Sequence, residues 1–248
     1  MKQTRAYNFL VKIIKATVHF IGFDVRWRNV RSSEDLLLKA IIKKFNIQTI
    51  IDVGANEGQY AEELLAHGFN GKIYSFEPIP SVFEKMKTKS RKNTSQWIMI
   101  NRGLGSEEAE LPINVSANFA SSSLYQVGEK SLAAEPATRT THQEKVKITT
   151  LDSYFSKQSF FDKEVMLKLD VQGFELEALK GAVKHLENIK VVQVELSFTE
   201  VYKSAPLYLD IINFLKQYNF ELFTFFPVFV DSGSGRMLQA DGLFIKAE

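Results

Sequence analysis

The feature that most restricts this chain is Ile51-Asp52-Val53-Gly54-Ala55-Asn56-Glu57-Gly58, where a β-branched run ends in a glycine-bounded loop. Gln48 to Val53 reads as a strand, and the stretch from Gly58 to Gly68 reads as a helix. In that helix Tyr60, Leu64 and Leu65 share a face, and Gly68 stops it. A second strand, GKIYSFEP over 71–78, follows at once and closes on the breaker Pro78. Strand, helix and strand in that order imply a parallel sheet.

The alternation continues. Ser81 to Asn93 predicts a helix with Ser81 as N-cap and Val82, Phe83 and Met86 inward, and Trp97 to Ser106 a third strand closed by Gly103 and Gly105. Val165 to Gly173 is the most continuous apolar run, as expected of a central parallel strand covered on both faces. Phe174 to Leu186 predicts a helix with Leu176, Leu179, Val183 and Leu186 in one stripe. Lys190 to Ser197 is a fifth strand and 206–218 a further helix. Phe220 to Val230 and Gln239 to Ala247 are strands with no helix between them, so they should close the sheet as an antiparallel hairpin at or near one edge. The expected fold is α/β and Rossmann-like, a mostly parallel sheet with a C-terminal antiparallel hairpin, in one domain over 46–248. Within it, 106–147 reads as an insertion. Weak strand signals at AELPINV and KVKITTL flank a polar segment, as in a lid or binding loop or a disordered surface insertion.

Composition sets the remaining bounds. Of 248 residues, 45% are hydrophobic and 24% charged, which disfavours disorder. With no cysteine, there is no disulfide, thiolate nucleophile or Cys-ligated zinc, and a cytoplasmic location is expected. The net charge of +2 conceals a basic helical extension over 1–45, with ten Lys/Arg against three Asp/Glu. There Lys2, Arg5, Lys12, Lys15, Arg26, Arg28 and Arg31 interleave with Phe9, Leu10, Ile13, Ile14, Phe20 and Ile21. Such a lead either packs its apolar side on the domain or lies on an anionic membrane surface. No apolar run approaches the roughly 20 residues that span a bilayer, and no signal-peptide pattern follows the basic start.

The glycine loop carries the chemistry. Gly54 and Gly58 permit a sharp turn and close approach to a ligand. Glu77, about 25 residues on from Asp52, is placed to accept hydrogen bonds from both hydroxyls of an adenosine ribose. Dinucleotide enzymes prefer G-x-G-x-x-G, because a pyrophosphate needs bare amides at a helix N-terminus. Here the spacing is G-x-x-x-G, and the acids Asp52 and Glu57 would repel a pyrophosphate. They suit instead the amino and sulfonium charges of S-adenosylmethionine. The expected cofactor-binding residues are Asp52, Gly54, Asn56, Gly58, Glu77, Pro78, Gly103 and Leu104.

IDVGANEGQY, FEP at 76–78, LKLDVQGFELEALKGA at 167–182, VELSFTEVY at 194–202 and QADGLFIK at 239–246 together resemble, in order, the blocks of the FkbM family of S-adenosylmethionine-dependent methyltransferases. The family more often shows D-V-E-G-x-E where this chain has Asp170-Val171-Gln172-Gly173-Phe174-Glu175, so Gln172 keeps the hydrogen-bonding shape and loses the charge. The resemblance implies O-methylation of a small-molecule or glycan hydroxyl, in sugars or natural products; nucleic acid is not expected as a partner, since the basic residues cluster at one end without RNA-module aromatics.

Methyl transfer from a sulfonium needs chiefly positioning, and a hydroxyl acceptor adds the need for a base. Asp170 ends the central strand at the carboxyl edge where open α/β sheets bind ligands, and is the candidate base. Gln172 and Glu195 are candidates to orient the substrate. The competing readings make Asp170 and Glu175 helix caps, or make Asp170 and Glu195 ligands of a hard divalent ion that lacks a third dedicated ligand. His142 and the Ser121-Ser122-Ser123 run could reach substrate from the insertion or lie in a solvated loop. At the level of the whole chain, the rivals are a nicotinamide-dependent oxidoreductase and a non-catalytic adenosine-binding or membrane-associated scaffold.

Overall fold

A computed structural model describes residues 5–23, 28–30, 33–89, 95–156 and 164–247. Lys2, Arg26 and Arg31 of the basic lead, and residues 90–93 of the expected second helix, lie outside the described residues. The chain divides into two units, Met1–Lys44 and Phe45–Glu248.

The first unit contains α1 (Arg5–Phe20) and α2 (Glu34–Lys44). In α1, Phe9, Leu10, Ile13 and Ile14 are exposed and fall in one arc of the helix, with Lys12 and Lys15 in another. Among the described residues, no helix is long and apolar enough to cross a membrane.

The second unit is built on a seven-stranded sheet. Its strands are β1 (Thr49–Val53), β2 (Lys72–Phe76), β3 (Trp97–Ile100), β7 (Val165–Leu169), β8 (Ile189–Ser197), β9 (Phe220–Val230) and β10 (Met237–Lys246). Their order is β3-β2-β1-β7-β8-β10-β9. The first five run parallel, and β10 pairs antiparallel with both β8 and β9. The expected α/β sheet with its closing hairpin is thus observed, and β7 is its middle strand. All five residues of β7 are buried, Lys168 among them. The helices α3 (Gln59–Ala66), α4 (Pro80–Lys89), α7 (Glu175–Lys180) and α8 (Tyr208–Gln217) follow strands β1, β2, β7 and β8.

Three local expectations need correction. Helix α4 begins at Pro80, so Ser81 lies inside its first turn; proline has φ preset for that position and needs no donor there. Helix α7 stops at Lys180 instead of running to Leu186. Gly181 is pressed so close to the Gly105 carbonyl that a Cβ would sit 1.9 Å from it, and its own carbonyl accepts from the Asp152 N–H. Leu179 and Leu186 stay buried while Val183 faces out. The single strand expected over Trp97 to Ser106 is two pieces, because Gly103–Leu104 leaves the main sheet as β4.

Strand β4 joins a second, three-stranded sheet in the order β4-β6-β5, with β5 at Ala109–Ser116 and β6 at Thr140–Thr149. The polar stretch between them holds the short helix α5 (Glu129–Ala134) and a 3₁₀ turn at Pro136–Thr138. A short helix, α6 (Leu151–Phe155), follows β6. Ile113, Val115, Val146 and Ile148 of this sheet pack on Ile79 and Val82 after β2, which fixes the insertion over the carboxyl edge of the main sheet.

Candidate functional site

Two cavities open at the carboxyl ends of β1, β2 and β7, where this topology places its ligands. They share Gly54, Asn56, Ala120, Asp170 and Gln172 as common walls.

The first cavity is a cleft beside Glu77. The loop after β1 forms its floor by leaving the strand through left-handed residues Gly54, Asn56 and Gly58, with φ of 77°, 50° and 86°. Gly54 has no room for a side chain, since a Cβ would lie 1.9 Å from the Asp170 carbonyl oxygen. Gly58 answers a different need. Its missing Cβ makes space for the Trp97 ring, which would lie 2.5 Å away, and the residue is buried behind the loop.

Glu77 is buried and held by backbone donors, Asn56 N–H to Oε2 at 2.9 Å and Ile79 N–H to Oε1 at 2.8 Å. Burial pushes its pKa up to about 7, against the pull of those two N–H groups. Asn101 Nδ2 donates to the carbonyls of Glu77 and Pro78 and so fixes this turn. The walls are apolar: Ile79, Val82, Leu104, Ile113 and Ile148. Phe119, Ser122 and Leu124 from the insertion close over them and leave a cavity of about 60 Å³. Pro78, Gly103 and Leu104 line the cleft, as do Gly54, Asn56 and Glu77.

Asp52 and Glu57 do not line it. Asp52 is fully buried in β1, accepting from Ser75 Oγ at 3.2 Å and paired with Lys168 Nζ at 3.3 Å. Glu57 turns outward to Lys85 and Lys89, at 3.1 and 3.2 Å. The acidic character that the loop shows in sequence is therefore spent on neighbouring lysines.

The second cavity is a chamber of about 360 Å³ around Asp170, Glu195, Tyr202, Gln239 and Asp241. Sheet register assembles it, since Leu169 pairs with Val194 and Asp241 with Glu195, which carries Asp170, Glu195 and Asp241 across three adjacent strands. Gln172 ties the group together from a left-handed backbone, φ 54°. Its Nε2 donates to Asp170 Oδ1 at 2.7 Å and to Glu195 Oε2 at 3.2 Å, while its Oε1 accepts from the Tyr202 hydroxyl at 2.5 Å. Gln239 Nε2 also donates to Glu195 Oε2, at 2.6 Å.

Burial, reinforced by the charges of Asp170 and Glu175, pushes Glu195 well above the usual carboxylate range. Asp170 keeps a side chain 40% exposed to the cavities and lies 3.5 Å from Lys168 Nζ. Burial alone would lower the Lys168 pKa, but the Asp52 and Asp170 carboxylates raise it above normal and keep the ammonium charged. Sequence reading missed Lys168, although a lysine inside the otherwise apolar run of β7 was a visible anomaly. It also missed Tyr202, Gln239 and Asp241, which only the folding of distant strands brings to Asp170.

Of the two residues weighed as helix caps, Glu175 bonds the N–H groups of Val171 and Gly173, at 3.1 Å each. The Asp170 carboxylate engages Gln172 and Lys168 instead. Among the described residues, no group of three or more His, Asp or Glu is arranged to hold a metal ion. His142 sits exposed on β6 beside Glu144 and lines neither cavity. Ser121 lines the chamber, Ser122 the cleft, and Ser123 Oγ donates to the Gln172 carbonyl.

Comparison with known proteins agrees with this geometry. Residues 52–222 match the Methyltransferase FkbM domain. The chain is 23% identical over 181 residues to hexuronic acid methyltransferase AglP of Haloferax volcanii, covering 73% of this chain and 69% of that protein. It is 28% identical over 173 residues to methyltransferase sdnD of Sordaria araneosa, covering 59% and 65%. The crystal structure of methyltransferase FkbM from Methylobacillus flagellatus KT superposes with a TM-score of 0.50 at 13% identity, over 80% of this chain and 43% of that one. This chain therefore spans under half of that longer protein and just under two thirds of the Sordaria relative, and the likeness to the crystal structure is one of fold. The matched span takes in Glu77 of the cleft, Asp170 between the cavities and Glu195 of the chamber, and the chain belongs to the FkbM family of S-adenosylmethionine-dependent methyltransferases.

Proposed function

We propose that this chain methylates a hydroxyl group of a sugar or related polyol, with the donor in the Glu77 cleft, the acceptor in the neighbouring chamber and Asp170 as general base. The observation that carries the reading is the shared wall of the two cavities. A carboxylate at the end of the central strand faces both at once, beside the one loop that approaches it without a side chain.

The residues of the cleft fit an adenosine. Apolar walls at Ile79, Leu104 and Ile148 suit a flat base, and a buried carboxyl between them suits a ribose diol. Asn56 and Gly54 would line the donor's amino-acid end. Bound there, S-adenosylmethionine would supply an electrophilic methyl group. The cavity of about 60 Å³ is well below the roughly 300–1,000 Å³ of small-molecule sites, so the Phe119–Leu124 roof must lift to admit it.

In the chamber, Asp170 is held by the Gln172 amide and the Lys168 ammonium, which leaves carboxylate surface free to accept a hydroxyl proton. Lys168 keeps the charge balanced beneath it, and Glu195, held by the Gln172 and Gln239 amides, faces the same chamber. The name of the Haloferax relative, a hexuronic acid methyltransferase, favours a sugar acceptor. The nicotinamide reading has no support in the family, and the intact Glu77 and Asp170 do not suit a decayed scaffold.

Asp170→Asn tests the mechanism, because it keeps size and much of the hydrogen bonding but removes the base. Turnover should fall about 100-fold or more, with donor affinity changed far less. Single-turnover transfer of labelled methyl, set beside calorimetric titration of the donor, separates the two. Turnover within a few-fold of wild type would make Asp170 structural.

A further inference from the structure

The lining of the acceptor chamber is unusual in its charge. Asp170 and Asp241 face it from the sheet and Glu135 from the insertion, and no lysine or arginine appears among the described residues that line it. The nearest cation, Lys168, lies beneath the floor with its charge committed to Asp52 and Asp170. The remaining polar groups are neutral amides and hydroxyls. One of them, the Ser131 hydroxyl, is buried, lines the chamber and has no hydrogen-bond partner among the described residues. A buried hydroxyl left unpaired costs free energy that a ligand hydroxyl can recover.

Resting on the methyltransferase reading above, we propose that the chamber takes an uncharged polyol and rejects an acid: the acceptor is a neutral sugar, not a uronate or phosphorylated one. A carboxylate brought in here meets Asp170 and Asp241 with no counter-charge, and juxtaposed like charges are a strong device against a wrong partner. A neutral diol or triol meets the amide oxygens of Gln172 and Gln239 as acceptors and the hydroxyls of Tyr202 and Ser131.

The test uses the full chain, labelled S-adenosylmethionine and matched methyl glycosides of the gluco, galacto and manno series, each as the neutral sugar, the uronate and the 2-amino sugar. Neutral members should be methylated with kcat/KM about tenfold or more above their uronates. Glu135→Gln, an exposed change that leaves the sheet untouched, and Asp241→Asn should each narrow that gap. Uronates or amino sugars accepted better than the neutral sugars would overturn the proposal, as would a gap unmoved by both variants. Transfer to no series while the donor still saturates the protein by calorimetry would overturn the assignment of a sugar. Failure to bind the donor would instead strike the underlying methyltransferase reading.

Discussion

The two cavities share a floor and are walled by opposite chemistry. The Glu77 cleft is mainly apolar around one buried carboxyl, whereas the Asp170 chamber sets amides, hydroxyls and carboxyls against an apolar side of Val201, Val228 and Phe229. An apolar slot holds its ligand by buried area and one or two directed bonds. A polar chamber holds by many directed bonds and discriminates by leaving groups unpaired when the wrong ligand enters. The first should therefore govern donor affinity, and the second turnover and acceptor choice.

The largest effect expected from this contrast is at Glu77. Glu77→Ala removes the carboxyl from the cleft and should weaken donor binding by roughly 1–3 kcal/mol, while turnover at saturating donor stays within a few-fold. Calorimetry and saturation kinetics read the two effects apart, and an unchanged affinity in folded protein would take Glu77 out of the donor site. A smaller effect of the opposite kind is expected at Tyr202. Tyr202→Phe removes the hydroxyl that fixes the Gln172 amide and should cost turnover about 0.5–1.5 kcal/mol, with a smaller change in donor affinity because its bond to the Ser121 carbonyl is lost as well. A loss shared equally between both constants would dissolve the division between the cavities.

The smallest effect is on stability against pH. Burial raises the folded pKa of Glu77 and of Glu175 to about 7, from an ordinary value of 4.5. Between those values the folded chain holds protons that the unfolded chain has lost. The stability from these groups is therefore complete below about pH 4.5 and is lost as pH rises through 7. Donor-free protein should melt at a lower temperature at pH 8 than at pH 6, and Glu77→Gln should flatten the slope. A melting temperature that rises over that interval would contradict the burial of these carboxyls.

The cleft was far more legible in sequence than the chamber. Gly54, Asn56, Glu77 and Pro78 belong to one continuous strand-loop-helix-strand unit, so spacing alone places them together. The same unit carries Asp52 and Glu57, and residue type does not reveal that Lys168, Lys85 and Lys89 take up their charge. The chamber draws on β7, β8, β10 and the insertion, and the pairing of Asp241 with Glu195 is a matter of sheet order that no local pattern encodes. The insertion was obscure for a related reason. Its strand β6 pairs mainly with β5, some thirty residues away, and its exposed Thr-Thr-His-Gln start carries no apolar alternation.

The roof over the cleft is fastened to the chamber. Ser123 donates to the Gln172 carbonyl, and the Tyr202 hydroxyl lies 3.2 Å from the Ser121 carbonyl as well as 2.5 Å from the Gln172 amide oxygen. Raising the roof to admit a nucleoside therefore loosens the residues that shape the acceptor's side. On the proposed assignment of the two cavities, the expected order is that the donor enters first, the roof settles, the acceptor's seat is then complete, and the thioether product leaves last. Initial-rate kinetics should accordingly show S-adenosylhomocysteine competing with the donor but not with the acceptor, and random addition would mean that roof and chamber move independently.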